Sequence, residues 1–134
     1  FLLIDGDNYY PAEAIKMLIE SPPGYSSMVG FDQMGFNIWA RERIKSFAVI
    51  NTYHGKLKEI IEKAQNPEDY ITKDALYITN NIRKNIDNRI LFSMNLFCFT
   101  SEIFDACRNV ERHEPRKKGK LGEYELTDAV IMFL

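Results

Sequence analysis

The sequence predicts an α/β fold, a sheet flanked by helices, and three observations carry that expectation. Phe1-Leu2-Leu3-Ile4 is a short apolar run that stops before Gly6 and gives way to an amphipathic helical pattern. Later segments rich in β-branched and aromatic residues recur between turn-forming residues. A second helical pattern follows the most apolar of these, Arg89 to Phe99, so strands and helices share one chain as they do in layered domains.

Taken in order, the opening run reads as a buried strand that delivers Asp7 to its carboxyl end, the side on which open α/β sheets bind ligands. Pro11 suits a first helical turn, and Ile15, Leu18 and Ile19 share one face of the helix that follows. Ser21-Pro22-Pro23-Gly24 ends it. Ser26 to Phe31 reads as a strand, Asp32 to Ile38 as loop, and Arg41-Glu42-Arg43-Ile44-Lys45 as too polar for an interior element. Ser46 to Thr52 is strand-like, and Tyr53-His54-Gly55-Lys56 turns it into a hairpin partner over Leu57 to Glu62. Gln65 to Asp87 is polar and lacks a clean period, which predicts loop with one helical stretch. Arg89 to Phe99 is a buried strand, and Thr100 suits the N-cap of a helix through Ile103, Phe104 and Cys107. Arg108 to Lys120 reads as a charged loop. Thr127 is placed to cap a last helix in which Ala129 to Leu134 are all apolar, a face so wide that it calls for partners beyond Leu134.

At 134 residues the chain fits one domain, and 46% hydrophobic with 13% aromatic content supports a packed core. Seventeen basic and 19 acidic residues give a net charge of -2, so no overall field favours nucleic acid. Cys98 and Cys107 have neither metal nor disulfide spacing, which points to a reducing, cytoplasmic setting. The longest apolar stretch is far short of the roughly 20 residues a membrane span needs. Because the chain opens directly on a core strand, Phe1 reads as an internal residue of something longer.

Four segments could carry chemistry. Asp7 at a strand end is a candidate Mg2+ ligand, since that ion takes only one or two protein carboxylates and completes its shell with water and phosphate. Asp5-Gly6-Asp7-Asn8 is equally a run of turn-forming residues closing a strand. Glu62-Lys63 follows a strand, Asn95 interrupts the apolar run Phe92 to Phe97, and Gly122-Glu123-Tyr124-Glu125-Leu126-Thr127-Asp128 opens the last helix. Asn95 needs a hydrogen-bond partner if buried. The basic run Arg112, Arg116, Lys117, Lys118 and Lys120 has no interleaved aromatic residue, so a stacking platform for nucleic acid is not indicated.

In order and rough spacing these four segments resemble the sugar-phosphate nucleotidyltransferases, which join a nucleoside triphosphate to a sugar 1-phosphate and release pyrophosphate. The resemblance implies a Rossmann-like mixed sheet flanked by helices, of the nucleotide-diphospho-sugar transferase type. Residues 1 to 134 would form the central and C-terminal portion of one catalytic domain. It implies that Asp7 holds Mg2+, that Glu62 bonds a sugar hydroxyl, that Lys63 contacts the sugar phosphate and that Asn95 holds the sugar. Glu123, in the segment beneath the sugar site, is the fourth expected substrate-binding residue; Glu123 and Asp128 also suit capping and orienting the helix there. Asp7 and Lys63 are thus the expected catalytic pair, with a nucleoside triphosphate and a sugar 1-phosphate as partners and homo-oligomerisation left open. Nucleic acid and membrane are not expected partners. The proline that usually follows the Glu-Lys pair is Ala64 here, which leaves that turn less fixed. The family's glycine-rich phosphate loop and its second metal aspartate have no counterpart between Phe1 and Leu134, so the domain is expected to be incomplete at both ends and residues 1 to 134 alone are expected to be inactive. Two other classes stay open: a non-catalytic relative serving as a regulatory or binding domain, and a metal-dependent nuclease of the NYN or PIN-like type, which Leu3-Ile4-Asp5-Gly6-Asp7-Asn8 also resembles.

Overall fold

The computed structural model describes residues 1–32, 46–70, 75–79, 82–86, 89–114 and 122–134. The expected loop over 33–38 and the polar stretch 41–45 lie outside them, as does most of the basic run. The described chain folds in the order β1 (Leu2–Leu3), α1 (Ala12–Ile19), β2 (Ser27–Asp32), β3 (Ala48–Tyr53), β4 (Lys56–Ile61), a 3-10 turn at Pro67–Asp69, β5 (Ala75–Thr79), β6 (Ile82–Ile86), β7 (Leu91–Cys98), α2 (Ile103–Asn109) and α3 (Leu126–Met132). The α/β class is as expected. Each described strand pairing is antiparallel.

β7 is the spine of the five-stranded sheet. Along one edge it carries β2, from Ser27 opposite Cys98 to Asp32 opposite Leu91. Its other edge is shared: β3 pairs with residues 91–93 and β1 with Phe97 and Cys98. β4 lies outside β3. The β3–β4 turn is a tight hairpin in which His54 and Gly55 both have positive φ, 48° and 71°, the conformation that matches the twist of paired strands.

Both faces of the sheet are covered. On one, α2 and α3 bury Ile103, Ala129 and Val130 against Ala48, Ile60, Phe97 and Phe99. On the other, α1 sets Ala14 and Leu18 against Leu96, with Tyr10 beside them. Farther along that second face, Val49 and Phe92 pack with Ala64, which follows the Glu62-Lys63 pair. Ala64 is only 7% exposed, so packing pins a turn that a proline would otherwise have fixed. Among the described residues no helix is long and apolar enough to cross a membrane.

Three expectations are corrected. The segment 65–87, expected as loop with one helical stretch, holds the 3-10 turn at Pro67–Asp69 and then the β5–β6 hairpin, from Ala75 opposite Ile86 to Thr79 opposite Ile82. Ala75 to Thr79 is mostly apolar, but the Asn and Asp residues around it hid the strand signal. Thr127 does not cap the last helix, because α3 begins one residue earlier and Glu125 stands at the N-cap without a side-chain bond. Thr100 likewise precedes the cap of α2; its hydroxyl bonds the Glu102 carboxylate, the main cause holding that group below the usual carboxylate range. The wide apolar face of α3 is divided: Ala129 and Val130 are buried, whereas Ile131, Met132 and Leu134 are exposed.

One buried polar atom stands out. Thr52 Oγ1 has no hydrogen-bond partner among the described residues, and it sits where the β3–β4 register slips between Asn51 and Thr52. Replacing a solitary buried hydroxyl by a methyl of the same shape removes a desolvation cost without opening a cavity. Thr52→Val is therefore expected to raise stability by about 0.5–1 kcal/mol, read as a higher urea midpoint at unchanged slope; a lower midpoint would contradict it.

Candidate functional site

The shared edge of β7 leaves a notch. Between Ser93, the last residue paired with β3, and Phe97, the first paired with β1, the edge of β7 at Met94, Asn95 and Leu96 has neither neighbour. Opposite, the β2 register moves from Met28–Phe97 to Gly30–Ser93, so β7 spends four residues where β2 spends two. The surplus is absorbed by a bulge at Asn95, whose φ is 55°. Asparagine is among the few side chains that enter this left-handed region readily.

The bulge turns Asn95 toward the end of β1. Its Nδ2 donates to Asp5 Oδ2 at 2.8 Å, and its backbone N–H donates to the hydroxyl of buried Ser93 at 3.2 Å. The partner that an amide in an apolar strand demanded is thus the Asp5 carboxylate. Tyr10, 9% exposed, ties down the same turn: its hydroxyl donates to the Met94 carbonyl at 2.5 Å and accepts from the Asp5 N–H at 3.2 Å and from Asn8 Nδ2 at 3.3 Å. Asn8 Nδ2 also reaches the Met94 carbonyl, at 3.3 Å. A carbonyl on an unpaired strand edge is satisfied by two side chains from the 5–10 turn. Asp7, carried by that turn, is exposed and has no side-chain partner among the described residues.

A second cluster forms where β4 ends. Glu62 Oε1 accepts the Thr127 hydroxyl at 2.7 Å, joining the Glu-Lys pair to the first turn of α3. Lys63 follows at φ 50°, exposed and without an ion pair among the described residues. From the other side, the His113 N–H donates to the Glu123 carbonyl at 2.9 Å, and His113 Nε2 lies 2.5 Å from Asp128 Oδ2. The Arg112 guanidinium stands 4.9 Å from the Tyr124 ring centre. Glu123 is exposed and, among the described residues, contributes its backbone carbonyl. Asp128 meets His113, and neither Glu123 nor Asp128 stands at the N-cap of α3.

Gly122 shows why this segment needs a glycine. A Cβ there would be driven into the His113 carbonyl oxygen and would stand 3.0 Å from Arg112 Cγ. Gly122→Ala must therefore push the 110–114 and 122–125 strands of chain apart, with an expected cost of about 1–3 kcal/mol. Urea unfolding of the variant checks this, and an unchanged midpoint would mean that the close approach is dispensable.

The two clusters lie toward one end of the sheet. β7 runs from Phe92 to Asn95 in the same direction in which β4 runs from Ile61, level with Phe92 through Val49, to Glu62 and Lys63. β3 separates them, which sets a lateral spacing of roughly 10 Å. The expected residues are thus grouped as Asp7 near Asn95, and Glu62 with Lys63 near Glu123, with no direct bond between the groups among the described residues.

No group of three His, Cys, Asp or Glu residues among the described ones could hold a metal ion. An exposed carboxylate such as Asp7 makes no self-contained protein cage; it suits only a hard Mg2+ whose other ligands are water and phosphate oxygens. The sequence reading named Asp5 only within the nuclease-like motif and missed Tyr10 and Ser93. The signal for Asp5 lay in Asn95 itself, since a half-buried amide in an apolar strand implies an acceptor. No protein-family model matches the chain, and neither a curated protein nor a solved structure matches it.

Proposed function

We propose that this chain carries the sugar-side part of a sugar-1-phosphate nucleotidyltransferase, with the Rossmann-like transferase fold that this activity entails. The observation that carries the reading is the pairwise meeting of four segments far apart in sequence. Asp5 at the end of β1 meets Asn95 on β7, and Glu62 after β4 meets Thr127 in the segment that opens α3. Segments that shared only an order in the sequence are joined in pairs by side-chain hydrogen bonds.

The chemistry asks little covalent work of the protein. An oxygen of the sugar 1-phosphate forms a bond to the α-phosphorus of the triphosphate, the bond from that phosphorus to the bridging oxygen breaks, and pyrophosphate leaves with the electron pair. Catalysis then rests on positioning and charge. The Lys63 ammonium, a compact charge on a long stem, draws in the sugar phosphate. Glu62 keeps Oε2 for a sugar hydroxyl while Oε1 is held by Thr127. Asp7 would hold Mg2+, which when bound neutralises charge on the phosphate oxygens.

The test is pyrophosphate release by the natural protein with Mg2+, a nucleoside triphosphate and a hexose 1-phosphate. Release that requires both substrates is expected. Release from the triphosphate alone, or phosphodiester cleavage of single-stranded RNA in its place, would overturn the reading.

A further inference from the structure

Resting on that reading, we propose that Asp5 is the sugar-anchoring group in the β7 notch, and that Asn95 is a positioning residue that aims it. Asn95 has little left to offer a ligand. Its Nδ2 is engaged by Asp5, its Oδ1 faces the Ser93 hydroxyl at 3.5 Å, and its backbone N–H is engaged by Ser93 Oγ. An amide used in this way has little capacity for a ligand. Asp5 is the reverse case. An ionised carboxylate offers about four acceptor positions, and among the described residues Asp5 uses one, through Oδ2. Its own N–H is held by the Tyr10 hydroxyl, so the side chain is fixed at its base and at one oxygen.

The surroundings select the ligand chemistry. Asp5 is half-buried and lies beside the stretch of β7 edge that, among the described residues, pairs with neither β1 nor β3, so part of its carboxylate is open to a ligand group. A group that accepts only hydrogen bonds requires a donor, and a hydroxyl of a polyol supplies one, whereas a phosphate would be repelled. The ligand class is therefore a neutral, hydroxyl-rich ring, with its phosphate turned toward Lys63 on the far side of β3.

The experiment is steady-state kinetics of pyrophosphate release by wild type, Asp5→Asn and Asn95→Gly over a panel of glucose, galactose, mannose and N-acetylglucosamine 1-phosphates. Asp5→Asn keeps the shape and the bond from Asn95 but removes the charge; glycine at 95 keeps the left-handed backbone but releases the carboxylate. For the best substrate of the panel, KM for the sugar phosphate is expected to rise roughly 10- to 100-fold in Asp5→Asn and by less in Asn95→Gly. The KM for triphosphate and the half-saturating Mg2+ concentration should stay within about twofold. Mn2+ binding followed by electron paramagnetic resonance should be equal in all three proteins. An unchanged sugar-phosphate KM would overturn the proposal. So would weakened Mn2+ binding in Asp5→Asn, which would make Asp5 a metal ligand. Should Asp5→Asn not fold, Asn95→Gly alone decides by the same KM criterion. Absence of release by wild type with every member of the panel would overturn the transferase reading itself.

Discussion

Asp7→Asn is expected to lower pyrophosphate release by about 100- to 1000-fold while leaving the fold intact, the scale seen when one preorganised electrostatic group is removed from a reacting centre. Asp7 sits in the turn that Tyr10 and Asn8 fasten to the Met94 carbonyl, so its placement is fixed although its side chain is exposed. The substitution keeps size and shape and removes the charge that would hold the cation. Because no side-chain bond is lost among the described residues, unfolding free energy should stay within about 0.5 kcal/mol. Raising Mg2+ should recover part of the lost rate. A variant that turns over at the wild-type rate would remove Asp7 from the site.

Phe92→Ala is expected to carry the largest stability cost in the chain, about 3–5 kcal/mol. Phe92 is fully buried near the start of β7, packed against Val49 and Ala64 with Phe47, Ile61, Tyr70 and Ile90 around it. Its removal leaves a cavity between β7, β3 and the turn after Glu62-Lys63, and close-packed surroundings relax only partly into such a space. The same change should therefore disturb function. With Ala64 no longer pinned, KM for the sugar phosphate should rise even at temperatures where the variant is folded. Urea unfolding and kinetics on the same sample check both effects, and a loss below about 1 kcal/mol would show that the cluster collapses to fill the gap.

Much of the fold was legible because its core strands obey simple patterns. Leu91 to Cys98 is apolar enough to be buried on both faces, and the Tyr53-His54-Gly55-Lys56 turn has the residues that a tight hairpin demands. The helix after Pro11 follows from one apolar stripe. The β5–β6 hairpin was not legible, since its residues show no dominant period. Pairing partners were not legible either. Nothing local says that β1 and β3 share one edge of β7, yet that sharing creates the notch. For the same reason the contacts between the named residues were not legible: the hydrogen bond from the Asn95 amide to Asp5 joins positions 90 residues apart. Gly122 could be noted as part of a segment, but the need for it lies in the approach of His113, which is set by tertiary contact.

The central claim is that the notch at Asn95 and the turn at Glu62-Lys63 act as one sugar-phosphate site. Titration of 15N-labelled protein with a hexose 1-phosphate, followed by two-dimensional NMR, addresses it most directly. The account predicts that the Asn95 side-chain amide and the backbone amides of Lys63 and Thr127 shift along one common binding curve, while the amides of α1 beyond Ala14 stay in place. Shifts confined to one cluster, two distinct binding curves, or no shift at either would contradict it.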